Sequence, residues 1–204
     1  MKKIFQTILQ VLLLALFVFL IINGKVQVWM GLLVFGILAS TFLGRFYCGW
    51  MCPINTVFKW ITWTKKKLHI NNLQTPKILK MKWVRISAFG IFAIVFGFIM
   101  IAKVKIPVLP ALFLMGVLVT LFFPEELWHR YLCPYGSMLR VSSSRTKHTM
   151  VIDEETCNNC GICKKVCPAV AIVKDNGTHK ILKGDCLVCM ECATACPQNS
   201  IKYQ

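Results

Sequence analysis

The chain has 204 residues, 56% of them hydrophobic, with a mean hydropathy of +0.62, a composition that excludes an ordinary soluble domain. Its 24 Lys and Arg against 8 Asp and Glu leave a formal charge of +16. Only 16% of residues are charged, however, and no acid precedes Glu125, so the excess points to cations placed for a membrane and away from nucleic acid.

In chain order, four stretches are apolar and long enough to cross a bilayer, which takes roughly 17 to 20 residues: 4–22, 26–43, 86–102 and 106–123. The first follows Lys2 and Lys3, exceeds the apolar core of a signal peptide and is followed by no small-x-small cleavage site, so it reads as an uncleaved span. Connections 23–25 and 103–105 hold only Lys25, Lys103 and Lys105, against fifteen Lys and Arg on the opposite side up to His148. Cations prefer the cytoplasmic ends of spans, so both termini are expected in the cytoplasm, in a multi-pass protein of the cytoplasmic (inner) membrane. The predicted fold is therefore integral membrane α-helical, with four transmembrane helices as two hairpins. In the long loop between the hairpins, aromatic residues 58–63 suit the headgroup layer, and Lys65-Lys66-Lys67 reads as a topology signal or lipid contact. Pro107 and Pro110 predict a kink or a late start of the fourth helix.

A polar hinge at 142–148 separates the expected membrane domain, 1–148, from a second domain, 149–204. Six lysines and six acids leave that tail formally neutral, and it has few large apolar side chains for a core. Eleven cysteines, eight of them in the tail, form too uneven and odd a set for a disulfide framework. The eight make an internal repeat. Cys157, Cys160, Cys163 and Cys167 before Pro168 recur 29 residues later as Cys186, Cys189, Cys192 and Cys196 before Pro197. A tight C-x-x-C-x-x-C loop offers three thiolates from one side, and a fourth comes from elsewhere in the fold. Structural zinc also uses C-x-x-C pairs, but a doubled set closed each time by Pro speaks against it.

The tail resembles a bacterial-type two-cluster 4Fe-4S ferredoxin, a small α+β fold. The resemblance implies crossed ligation, with Cys157, Cys160, Cys163 and Cys196 on one cluster and Cys186, Cys189, Cys192 and Cys167 on the other. Cluster binding then adds folding free energy that the thin core lacks.

Three cysteines remain, where the second and fourth spans re-enter the cytoplasm. Cys48-x-x-x-Cys52-Pro53 and His129-x-x-x-Cys133-Pro134 align on their Cys-Pro pairs, so the membrane part is itself a pseudo-repeat. A spacing of four places both donors on one face of a helix, and two such pairs offer Cys48, Cys52, His129 and Cys133 to one metal site. These motifs together with the tail resemble the membrane polyferredoxins of the NapH/NosR type. The resemblance implies a membrane electron-transfer subunit linked to the quinone pool, as in a quinol dehydrogenase, with its cysteine motifs on the cytoplasmic side and a third iron–sulfur cluster at the membrane face.

The sequence departs from that family at His129, where Cys is usual. As a ligand, a neutral imidazole would remove one negative charge from the cluster and raise its potential. The alternatives are a proton acceptor for a quinol, an interfacial histidine beside a three-cysteine site, and Cys3His zinc. His69, His148 and His179 read as surface residues.

Iron–sulfur clusters move single electrons and make no bonds, and the sequence shows no Ser-His-Asp set, phosphate loop or dinucleotide fingerprint. The expected activity is a relay between a membrane redox partner, such as a quinol, and a protein partner. Two alternatives stand beside it: an assembly factor delivering electrons to metal-centre biogenesis, and a ferredoxin module tethered to a larger redox complex.

Overall fold

In the computed structural model the described residues are 2–102, 108–175 and 177–204. The predicted connection 103–105 and Pro107 lie outside them. The first part of the chain is helical: α1 (Lys2–Ile22), α2 (Gln27–Leu43), α3 (Phe46–Trp50), α4 (Pro53–Lys67), α5 (Lys82–Ala102), α6 (Val108–Phe122), α7 (Glu125–Leu127), a π-helical turn over Trp128–Leu132, and α8 (Pro134–Ser143). Pro110 stands in the first turn of α6, where a missing N–H costs little. By length and composition one helix, Lys3–Ile22, is able to cross a membrane. Gln27–Leu43, Trp83–Ile99 and Val108–Phe122 are apolar but shorter, at 15 to 17 residues.

Helices α2 and α6 bury matching stripes, Trp29, Leu33, Gly36 and Ser40 against Leu109, Leu112, Gly116 and Thr120. Each stripe admits an aromatic ring at its glycine: a Cβ on Gly36 would lie 2.8 Å from the Tyr47 ring, and one on Gly116 would lie 3.0 Å from that of Trp128. The glycines are small because the next motif folds back onto them. Tyr47 comes eleven residues after Gly36 and Trp128 twelve after Gly116, so the second connection, through Pro124 and α7, is one residue longer. Gly44 ends α2 at φ 67° and ψ −163°, a conformation open essentially to glycine, and so turns the chain toward Cys48.

The tail forms two antiparallel pairs, β1 (Met150–Ile152) with β4 (Ile201–Tyr203) and β2 (Ile172–Asp175) with β3 (Thr178–Ile181), around two short helices, α9 (Ile162–Val166) and α10 (Glu191–Ala195). The 29-residue repeat reaches the backbone. Left-handed residues occur in pairs at that offset, Asn159 with Val188, Gly161 with Met190, and Val170 with Asn199.

The tail is packed onto the helices. Ala169, Leu187 and Cys189 belong to the same apolar core as Trp29, Tyr47 and Leu139. Asp185, 2% exposed, faces Arg140 at 3.1 Å, Arg85 at 3.8 Å and Arg130 at 4.0 Å. The stretch 142–148 is tied down as well: Gly44 N donates to Thr146 Oγ1, Thr146 Oγ1 to Phe42 O, and His148 N to Phe42 O.

Candidate metal centres

The structure gathers the twelve expected donors around three separate cavities. Cys157, Cys160, Cys163 and Cys196 line one and Cys167, Cys186, Cys189 and Cys192 a second; Cys48, Cys52, Cys133 and His129 line the third, between the two helical hairpins. The donors ring a volume, which suits a cluster of several irons.

In the third cavity the two halves present their donors alike. Cys52 and Cys133 are the N-cap residues of α4 and α8, extended at φ/ψ of −71°/118° and −70°/112°, as a residue before proline must be. The amide of each bonds the carbonyl five residues back, Cys52 N to Tyr47 O and Cys133 N to Trp128 O, both at 2.9 Å. Cys48 and His129 therefore occupy equivalent places. The Cys133 sulfur accepts from Gly136 N at 3.3 Å, so the helix start favours a thiolate there.

Burial, and then the neighbouring Cys48, push the Cys133 thiol up to about 11 and raise Cys52 as well. The same desolvation acts on the second cavity, where Cys192 is pushed up to about 12 and Cys186 and Cys189 are also raised. Metal binding has to overcome this by releasing the thiol protons. His129 is shifted the other way, to about 3, by burial and then by Arg45 and Lys59, so its imidazole is neutral and keeps a lone pair to donate. Its Nε2 lies 4.0 Å from Glu125 Oε2, and neither atom has a hydrogen-bond partner among the described residues. At that distance the two make no hydrogen bond, and burial holds the Glu125 carboxyl above its ordinary value. Soft thiolates, a neutral imidazole and orphaned buried polar atoms fit an iron–sulfur group here.

Sequence reasoning missed three contributors. Arg45, wholly buried in the cavity wall with Nη2 3.8 Å from Cys48 Sγ, places a positive charge against the cysteines. Gln6 and Gln10, four apart in the otherwise apolar α1, are buried, and both donate to Gly49 O, at 2.9 and 2.7 Å. Two amides on one face of an apolar helix were the available signal. Three readings are corrected. His179 is only 7% exposed, because β3 turns it inward to within 3.3 Å of Asn159 Oδ1 at the first cavity. Phe58 is buried against Trp128 and His129, and only Trp60 and Trp63 of the aromatic run stand outward, since α4 has two faces. Lys65 is buried too, donating to Thr120 O at the end of α6 and to Asn72.

Comparison with known proteins agrees with these motifs. Residues 26–71 and 106–148 match a model described as a 4Fe-4S binding domain, and residues 149–197 one described as a 4Fe-4S dicluster domain. The ferredoxin-type protein NapH of Haemophilus influenzae is 29% identical over 78% of this chain and 62% of its own length. The methylamine utilization ferredoxin-type protein MauN of Methylorubrum extorquens is 30% identical over 76% and 60%. An uncharacterized protein of Methanocaldococcus jannaschii is 26% identical over 83% and 68%. The chain thus spans about three-fifths of the length of the NapH and MauN relatives. No solved structure matches it.

Proposed function

Because the chain belongs to the NapH-type polyferredoxins, iron–sulfur proteins of electron transfer, we propose that it is a membrane-held relay between a quinol and a protein redox partner. In this reading Cys157, Cys160, Cys163 and Cys196 hold one 4Fe-4S cluster and Cys186, Cys189, Cys192 and Cys167 a second. Cys48, Cys52, Cys133 and His129 hold a third iron–sulfur cluster. Bound there, such groups store and pass single electrons. The chain's own residues position them, keep water out and supply countercharge through Arg45. The observation that carries the reading is the single buried cavity walled by all four membrane-part donors.

The four-span arrangement with both termini in the cytoplasm rests on the apolar side chains exposed along α1, α2, α5 and α6, including Phe19, Phe35, Ile94 and Leu114. A soluble surface would not carry such belts. It is also supported by contacts from one end of each of the first two helices, the start of α1 meeting Gly49 between Cys48 and Cys52 through Gln6 and the end of α2 meeting Thr146, just before the tail, through Phe42. A reporter active only in the periplasm is expected to be silent when fused to the C-terminus, and activity there would overturn the orientation.

A tethered ferredoxin module is disfavoured by the shared core and the buried Asp185 contacts. A role in metal-centre assembly would use the same relay with a different acceptor. Bleaching of the iron–sulfur absorption by a quinol analogue in detergent is the expected result, and no bleaching by the quinol, with full bleaching by a low-potential chemical reductant, would remove the quinone from the reading.

A further inference from the structure

The two halves of the tail repeat are alike in their cysteines and unlike between them. The first reads Cys157-Asn158-Asn159-Cys160, the second Cys186-Leu187-Val188-Cys189. Asn158 and Asn159 are exposed, as is Cys160, whereas Leu187, Val188, Cys186 and Cys189 are buried. One half is built to meet water and the other to meet protein.

The protein that the second half meets is the end of α3, Gly49 and Trp50, between Cys48 and Cys52. A Cβ on Gly49 would collide with the Leu187 carbonyl oxygen and lie 3.0 Å from Cys189 N, so only a glycine lets the two backbones touch. The contact is pinned on both sides. Gln6 Nε2 donates to Gly49 O at 2.9 Å and to Cys189 O at 3.3 Å, Gln10 Nε2 to Gly49 O at 2.7 Å, and Trp50 Nε1 to Val188 O at 3.0 Å. Electron transfer between fixed centres falls off steeply with separation, and backbone contact without an intervening side chain is the shortest route two binding loops can share.

We propose that Gly49, held by Gln6 and Gln10, is the crossing point of the relay. The site of Cys186, Cys189, Cys192 and Cys167 stands in series between the Cys48 site and the site of Cys157, Cys160, Cys163 and Cys196. The last is the terminal that exchanges electrons with a one-electron carrier approaching from water. Each crossing oxidises one centre by one electron and reduces the next by one, with no bond made and no proton moved. This order rests on the three-cluster reading above. Gln6, Gln10 and Gly49 are positioning residues.

Pulsed EPR of the full chain, purified with its iron and reduced with titanium(III) citrate, tests the order. The spin relaxation of the Cys48-site signal is expected to be enhanced by its neighbour, to lose that enhancement in Cys189→Ala and to keep it in Cys160→Ala. Gly49→Ala, with iron content unchanged, is expected to weaken the enhancement toward the Cys189→Ala level. A water-soluble dysprosium chelate is expected to relax the signal that Cys160→Ala removes and to spare the one that Cys189→Ala removes. Loss of the enhancement in Cys160→Ala, or a chelate effect on the Cys189 half, overturns the order alone. Wild-type protein with no Cys48-site signal overturns the three-cluster reading and the order with it. Should a cysteine variant fail to fold, the Gly49→Ala and chelate measurements decide the question, and an undiminished enhancement in Gly49→Ala counts against the crossing point.

Discussion

Cys133→Ser is expected to remove about four of about twelve irons, with matching sulfide, from the purified chain while leaving the tail loaded. The substitution is chosen for what it preserves. Serine is a good helix N-cap, so α8 keeps the bond from Gly136 N that the cysteine sulfur now accepts, and the change is confined to the loss of a thiolate donor. The other eight cysteines stand around two different cavities and should keep their metal. Iron and acid-labile sulfide analysis checks this; a variant that loses none, or a wild-type chain that holds only about eight of each, refutes a third cluster at this site. His129 is resolved by the same preparation. If its imidazole is a ligand, His129→Cys lowers the midpoint of the third centre on the order of 100 mV, because a thiolate adds a negative charge where the imidazole had none. An unchanged EPR spectrum and midpoint in both His129→Cys and His129→Ala would return it to the role of a neighbour.

The second large effect lies at Asp185. Asp185→Ala is expected to destabilise the chain by about 1–3 kcal/mol, the scale for losing a charged partner when the arginines left behind are 19 to 35% exposed. Its carboxylate is the only acid among Arg85, Arg130 and Arg140 in the contacts described, and taking it away leaves three guanidinium groups facing one another at the seam between the helices and the tail. Asp185→Asn keeps the shape without the charge and should cost less. Thermal bleaching of the iron–sulfur absorption at a lower temperature reads the loss, and earlier tryptic cleavage within 142–148 reads the loosening of the seam. A variant as stable as the wild type would mean that the arginines are satisfied by solvent and that the shared apolar core alone holds the tail.

Much of this was legible beforehand, because metal-donor spacing is a local property of the chain. The 29-residue offset pairs the cysteines of the two tail halves, the ferredoxin resemblance implies that Cys196 joins Cys157, Cys160 and Cys163, and the alignment of Cys-Pro pairs places His129 opposite Cys48. What could not be read were the tasks of residues that serve two elements at once. Arg45, Arg85, Arg130 and Arg140 satisfy the rule for cytoplasmic cations, and that sufficient explanation concealed their contacts with Cys48 and Asp185. Lys65 was hidden in a basic run by the same logic, and His179 by a strand too short for its alternation to stand out. Gln6 and Gln10 were the opposite case, an anomaly in an apolar helix whose partners lie 39 to 183 residues away.

The glycine stripe and the five-residue amide bonds have a bearing on symmetry. Gly36 and Tyr47 repeat as Gly116 and Trp128, and Cys52 repeats as Cys133, so each hairpin carries half of a cavity that neither can close alone. Such a half-site is self-complementary in the way that two-fold homodimers are. A two-fold homodimer must carry the same residue twice, whereas a chain that holds both halves can differ at equivalent places, as it does at Cys48 and His129.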